Sequence, residues 1–191
     1  MKTFLSFLLA LAIIGGILFA IWMTLYNSLI DKKNQVEKAF SSIDVLLKKR
    51  SDLIPNLVAT VQKYMQFEQE TLTEIARLRS KAIQAKGNER VQLENQISHS
   101  LGNIMIAVEA YPELKANQNF ADLQASLNET EEQISAARRF YNSAVTDLNN
   151  AIEMFPTNLL ASSMNLRPKP FFEATEQERQ NVDVGNLFNR P

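Results

Sequence analysis

The sequence predicts an all-α protein: an N-terminal transmembrane helix followed by an antiparallel up-and-down bundle of long helices. Three observations carry this. From Thr3 to Ile30 no charged side chain occurs, a run of 28 residues. Beyond that run, apolar residues recur at steps of three and four as far as Phe155, the spacing that lines one face of a helix. The 191 residues include only 5 Gly and 6 Pro, too few turn residues for a chain of many short strands. The expected organisation is an anchor over residues 1–30, a helical bundle over 31–156 and an extended tail over 157–191.

At about 1.5 Å per residue the uncharged run is roughly 42 Å of helix, enough to cross a hydrocarbon core of about 30 Å with some tilt. Its apolar heart spans Phe4 to Leu25, with Trp22 and Tyr26 near one end, where amphipathic rings suit the headgroup level. A cleavable signal peptide is the competing reading. Its apolar region would be about 7–15 residues long and end at a small-residue site, and "AIWMTLY" offers none. The reading adopted is an uncleaved single-pass anchor. Lys2 alone stands upstream, against Lys32, Lys33 and Lys38 downstream, which places the large C-terminal part in the cytoplasm. Ala12, Gly16 and Ala20 form a small-residue stripe that would admit a second such helix, hence a homo-oligomer; ordinary lipid-facing positions account for it equally well.

The first stripe after the anchor is Val36, Phe40, Ile43, Leu47, Ile54, Leu57, Val61 and Tyr64, with Arg50 at a core phase. Pro55 interrupts it, lacking an N–H and crowding the Ser51 carbonyl. The unbroken phase favours one helix kinked at Pro55, which makes the bundle three-membered. The restriction on Ile54 before proline favours a break, with Ser51 or Asp52 as N-cap and four long helices. The break is the reading adopted. The next helix runs to about Ala85 through Phe67, Leu72, Ile75, Leu78 and Ala82, stopped by Lys86-Gly87-Asn88 with Gly87 suited to a left-handed C′ position. A third spans about Glu89–Tyr111, with Leu93, Ile97, Leu101, Ile104 and Val108 inward, and Pro112 ends it. The last carries Phe120, Leu123, Leu127, Ile134, Ala137, Tyr141, Leu148, Ile152 and Phe155, with Asn117 or Asn119 as cap and Pro156 as stop. Short connections make these long amphipathic helices antiparallel neighbours. In the tail, the pairs Phe171-Phe172 and Leu187-Phe188 are expected to be strapped onto the bundle side. The alternative is that they stay open to bind something.

At this point the residues resemble the LemA family of bacterial membrane proteins. The resemblance rests on "YNSLIDKKNQVEKAFSSIDVLLKKRSDLIPNLVATVQKY", on "AVEAYPELKANQNFADLQASLNETEEQISAARRFYNSAV" and on "FPTNLLA" followed by the Phe pair. Arg50 with Asp52–Val58, including Pro55 and Asn56, and the block Tyr111–Asn117, including Pro112 and Lys115, are its most specific parts. Phe40 stands where the family usually has Trp, Glu132 where Asn is common and Leu148 where Tyr is common; Met164-Asn165-Leu166 replaces a Gly-Phe-like end. The resemblance implies a bacterial cell membrane, a single anchor, a helical-bundle domain and no known enzymatic activity. It also places the chain near membrane quality control, with a membrane metalloprotease among the partners to consider.

Composition narrows the chemistry. Twenty Lys and Arg against 21 Asp and Glu give a net charge of −1, without the basic excess of a nucleic-acid binder. Zero Cys and one His exclude thiolate chemistry and nearly all imidazole chemistry. Gln96 and Asn95 precede His99 where a bundle metal site would need Glu, so His99 reads as a surface residue. The glycines are too scattered for a phosphate loop, and pairs such as Glu129/Glu132 occur by chance in helical proteins. No catalytic, metal or cofactor site is expected. Arg50 at a core phase requires a carboxylate partner if buried. Glu109 is the first candidate and Asp52 the second; alternatively Arg50 snorkels outward from a helix end. Arg138, Arg139, Tyr141 and Asn142 form a second polar block, with Tyr141 inward and the arginines facing water or a docked partner. The basic run Lys48-Lys49-Arg50 lies too far from the anchor to meet headgroups and reads as a solvated face. The expected function is a membrane-tethered interaction or scaffold module with a protein partner. A self-associating structural protein is the alternative, and a small-ligand-binding bundle or enzyme the least favoured reading.

Overall fold

The computed structural model describes residues 2–65, 69–85 and 87–172. These form six helices: α1 Lys2–Val61, α2 Gln69–Gln84, α3 Gly87–Val108, α4 Pro112–Lys115, α5 Gln118–Glu153 and α6 Thr157–Ser163. Among the described residues there is no strand. The fold is all-α, as expected. Phe67, Lys86, Leu187 and Phe188 lie outside the described residues. Two compact units divide the described residues: those up to 42 with 137–171, and those of 43–136 with 172.

In the second unit, buried residues Ile54, Leu57 and Val61 of α1, Leu72, Ile75 and Leu78 of α2, Leu93, Ile97 and Ile104 of α3, and Phe120 and Leu127 of α5 share one core. Each set recurs at steps of three, four or seven residues, so each helix buries one stripe; Arg50 and Glu94 are the charged residues buried with it. Specific contacts fix the directions. Asp44 meets Arg90 while Arg50 meets Ser98, so α1 and α3 run parallel. Tyr64 meets Asn117 while Arg50 meets Glu131, so α5 runs against α1. Asn117 caps α5, its Oδ1 accepting the Phe120 N–H at 3.2 Å, and its Nδ2 donates to the Tyr64 hydroxyl at 3.1 Å. Pro112 opens the short α4, where a missing N–H costs nothing.

The expected break at Arg50–Ser51 does not occur: α1 passes through Pro55 as one helix. The reason lies 28 residues away. Pro55 cannot donate to the Ser51 carbonyl, and Arg79 Nε of α2 donates to that oxygen instead, at 2.6 Å. The proline's exposed ring adds no packing conflict. The chain leaves the helix only after Val61, where Tyr64 and Met65 turn back onto the Val61 carbonyl, both at 2.9 Å. Gly87 opens α3, whereas the sequence pattern suggested the residue that closes α2.

In the first unit the core of small and branched side chains includes Leu29, Val36, Ala39, Ala144, Val145, Leu148, Ala151 and Ala161. Two expected core residues are outside it. Phe40 is half exposed and Phe155 is 79% exposed; Ala39 and Phe40 both fit the three-four spacing between Val36 and Ile43, and Ala39 is the one buried. The segment expected to be extended from Thr157 begins with a helix, α6. It closes in a Schellman turn: Asn165 takes φ 53°, its N–H reaches Ser162 O, and the Leu166 N–H reaches Ala161 O. Leu166 then packs with Leu29, Ala151 and Ala161.

Replacing Arg79 with Ala should cost about 1–2 kcal/mol by stranding the Ser51 carbonyl. In a Pro55→Ala background, where residue 55 supplies its own N–H, the cost should shrink. Denaturation of the full chain in detergent, followed by far-UV circular dichroism, measures both; equal costs in the two backgrounds would show that Arg79 does not repair the helix.

Candidate functional site

Among the described residues Arg50 is the largest fully buried side chain, with no exposed surface. It stands at a core phase of α1 because Leu47 precedes it by three residues and Ile54 follows by four. Its guanidinium spans α3 and α5. Nη1 donates to Ser98 Oγ at 2.5 Å and to Glu131 Oε1 at 2.6 Å. Nη2 donates to the Glu94 backbone carbonyl at 3.0 Å and to the Glu94 carboxylate. Ser98 in turn donates to the second oxygen of Glu131 at 2.9 Å. Arg90, one turn before Glu94, lies 3.9 Å from the other Glu94 oxygen and pairs with Asp44 at 2.5 Å. Asp44, Arg90, Glu94, Arg50 and Glu131 therefore form a chain of alternating charge through the second unit.

Both expected partners of Arg50 are corrected. Glu109 pairs with Lys115 at 2.5 Å on an exposed turn, and Asp52 pairs with Lys48 at 2.6 Å, one turn away on its own helix. Nor does Arg50 snorkel out. The signal for Glu94 was present in the sequence: Arg90, Glu94 and Ser98 recur at steps of four, which stacks them in one polar row beside the apolar row Leu93–Ile97–Leu101.

A cavity of about 370 Å³ opens beside this chain, lined by Asp44, Lys48, Arg50, Arg90 and Glu94 and by apolar Val45, Leu47, Ile54, Ala82, Ile83 and Ile97. The Nε atoms of Arg50 and Arg90 are buried without a hydrogen bond. Apart from these, the guanidinium and carboxylate groups are committed to one another, an arrangement that holds helices in register. Among the described residues no group of three His, Asp or Glu could hold a metal ion. His99 is exposed, its Nδ1 3.3 Å from Asn103 Nδ2.

The other residues singled out by sequence are dispersed. Tyr111 is half-buried at the start of α4, packed on the second unit's core. Asn56 is exposed, and its carbonyl accepts the Thr60 hydroxyl at 2.8 Å. In the first unit, Tyr141 is buried with its ring 6.1 Å from that of Phe40. Burial pushes its phenol above the usual value of about 10, and its hydroxyl donates to the Pro170 carbonyl at 3.2 Å. Asn149 adds a pair of bonds to Lys169, from its Nδ2 to the carbonyl at 3.0 Å and from the Lys169 N–H to its Oδ1 at 2.8 Å. These bonds strap residues 166–170 along α5. Phe171 is nevertheless half exposed, and Phe172 is half-buried. Arg138 and Asn142 are half-buried and Arg139 is exposed. Along the anchor, Phe4, Gly16, Trp22 and Leu25 lie on a helix whose most apolar window has no buried residue; Phe4 and Trp22 are exposed by 66% and 48%. Trp22 stacks on Tyr26 with ring centroids 5.6 Å apart.

Comparison with known proteins agrees with the resemblance read from the residues. The family model for the LemA family matches residues 39–185. A curated relative named Protein LemA, from Metamycoplasma hominis, is 31% identical over 96% of this chain and 84% of its own length. Magnetosome protein MamQ 2 of Paramagnetospirillum magneticum is 22% identical over 78% of this chain, which spans 64% of that relative's length. Magnetosome protein MamQ of Magnetospirillum gryphiswaldense is 20% identical over 86% of this chain and 71% of its own length.

Arg50→Met should cost about 3–5 kcal/mol, because it leaves the Glu94 and Glu131 carboxylates without their cation. Adding Glu94→Gln and Glu131→Gln should recover much of that loss. Thermal melts of the full chain in detergent test both; a single variant as stable as the parent would mean the buried charge organises nothing.

Tyr141→Phe should cost about 1 kcal/mol and expose residues 166–170 to protease. The pKa of Tyr141 is raised on folding, so its contribution is complete below about pH 10 and is lost as pH rises through the folded value. A stability-against-pH profile that the Phe variant leaves unchanged above pH 10 would contradict this.

Proposed function

The chain belongs to the LemA family, and on that premise we propose that it is held in a bacterial membrane by an uncleaved α1 and acts there as a non-enzymatic interaction module. The observation that carries the proposal is the state of the leading helix. Its most apolar 18-residue window has a mean hydropathy of 2.7, and none of it is covered by the rest of the chain. A helix that is apolar all round and has no protein cover is a membrane span in type. Leaving each large apolar side chain in water would cost about 1.5–3 kcal/mol.

Continuity supports retention over removal. The helix that begins in the apolar run continues without interruption to Val61. Leu29, near the end of that run, is fully buried against Ala151 and Ala161, so processing after this residue would remove part of the fold's own core. The lysines after the run outnumber the one before it, which favours a cytoplasmic C-terminal part.

The non-catalytic reading is supported by the buried charges, which bond to one another, and by the exposure of the single His. Contact with a protein partner is then the remaining role, whether as a scaffold or in membrane quality control. The family resemblance puts a membrane metalloprotease among the partners to test. Homo-oligomerisation through Ala12, Gly16 and Ala20 is the competing arrangement.

Washing membranes with alkaline carbonate should leave the full-length chain in the pellet, with its N-terminal residues still detectable by mass spectrometry. A soluble product lacking the first two dozen residues would refute retention. Pull-down with the intact chain should recover partners that a form without residues 2–30 does not.

A further inference from the structure

The turn between α5 and α6 shows three large apolar side chains to the outside. Met154 is 62% exposed, Phe155 79% and Leu159 65%, and Pro156 between them is exposed as well. Several polar groups of the turn bond within it, while Asn158 Oδ1 is buried without a hydrogen bond. The Met154 N–H donates to Asn150 O at 2.8 Å, and the Met154 carbonyl accepts the Asn158 N–H and the Thr157 hydroxyl, both at 2.9 Å. Thr157 and Asn158 are themselves half-buried. Such a turn presents its large apolar side chains outward, as an element seated at the lipid interface does.

Its place on the first unit decides what covers it. Phe40 of α1 lies beside Tyr141 of α5, and Leu29 packs with Ala151, so these helices run antiparallel there. From Ala151 to Phe155 is about one helical turn, and from Leu29 to Leu25 is the same. The turn therefore stands level with Leu25 and Tyr26, inside the uncharged run Thr3–Ile30 and beside the Trp22–Tyr26 stack. A bilayer core takes about 20 of those residues, which leaves the last few, and the turn beside them, at the headgroup boundary.

On the membrane-anchored reading, on which this inference rests, we propose that Met154, Phe155 and Leu159 form a second membrane contact, seated in the lipid interface next to the anchor. The anchor fixes the turn at this level, and the turn limits how α1 tilts and rotates in the bilayer.

Trp22 is the only tryptophan, which gives a reporter for each reading. The full chain and its W22F/F155W variant are reconstituted, at low protein-to-lipid ratio, into phosphatidylcholine vesicles with lipids brominated high on the acyl chain. Both tryptophans should be quenched to a comparable degree and be shielded from aqueous iodide. If Trp22 is not quenched, the anchor reading fails and this inference falls with it. If Trp22 is quenched while the W22F/F155W reporter is not and remains open to iodide, the anchor stands and the second contact is refuted. Shielding from iodide without quenching would mean a second copy covers the turn, which also refutes it. W22F/L159W gives the same reading from α6, and unchanged helicity by circular dichroism confirms that either variant folds.

Discussion

A guanidinium with no exposed surface constrains the second unit more than any apolar contact does. Apolar side chains are interchangeable within limits of volume, so a stripe of Ile and Leu tolerates small shifts of one helix along another. A buried cation does not. Arg50 must meet Ser98, the Glu94 carboxylate and carbonyl, and Glu131 at once, and a one-residue slip of α3 or α5 would remove an acceptor. Net stabilisation from such a pair is small once the cost of drying the ions is counted. What it contributes here is selection of one register of three helices from the several that the stripes alone permit.

One turn further along α1, a second polar deficit is treated the same way. Pro55 takes a donor out of the helix, and Arg79 from α2 supplies one. Arg50 ties α1 to α3 and α5, while Arg79 ties it to α2, so within two turns α1 is referenced to the other long helices of the unit. Both ties are made by arginine, whose fork of fixed donors can bond while much of its stem lies among apolar neighbours. Asn117 completes the set at the other end of α5, where one side chain caps that helix and holds the Tyr64 hydroxyl.

The helices were legible in the sequence because a 3-4 spacing is a local property: Leu72–Ile75–Leu78 and Leu93–Ile97–Leu101 need no tertiary knowledge. The Asn117 cap was legible for the same reason. The path through Pro55 was not, since the atom that satisfies Ser51 is 28 residues away and any of several arginines offered the same chemistry. Arg50 announced the need for an acid but not its identity. Glu109 stood beside the inward Val108, yet the row Arg90–Glu94–Ser98 supplied the acceptors. Phe40 misled because Ala39 and Phe40 both stand three or four residues from Val36 and Ile43, so spacing could not choose between them, and the core takes in Ala39. Asn165 was legible in principle as a left-handed C′ residue, but Pro168 and Pro170 close by gave the segment the look of an extended tail.

The first unit answers a different physical demand. Its buried positions are filled largely by Ala39, Ala144, Ala151 and Ala161 among Leu and Val, while Phe40, Phe140, Phe155 and Phe171 are half exposed or more. Small residues in the seam let helix backbones approach closely, and the packing then gains from many short contacts instead of from a few large rings. A soluble protein would normally reverse this assignment, because about 150–250 Å² of aromatic surface per ring is among the most favourable to bury. Tyr141 is the buried exception, so it is the phenylalanines that this unit leaves outside. On the membrane-anchored reading proposed above, Phe155, beside the uncharged run, meets the lipid boundary. Phe40 and Phe140 lie further along α1 and α5 and are also half exposed, so the outward phenylalanines of this unit are not confined to the level of the anchor.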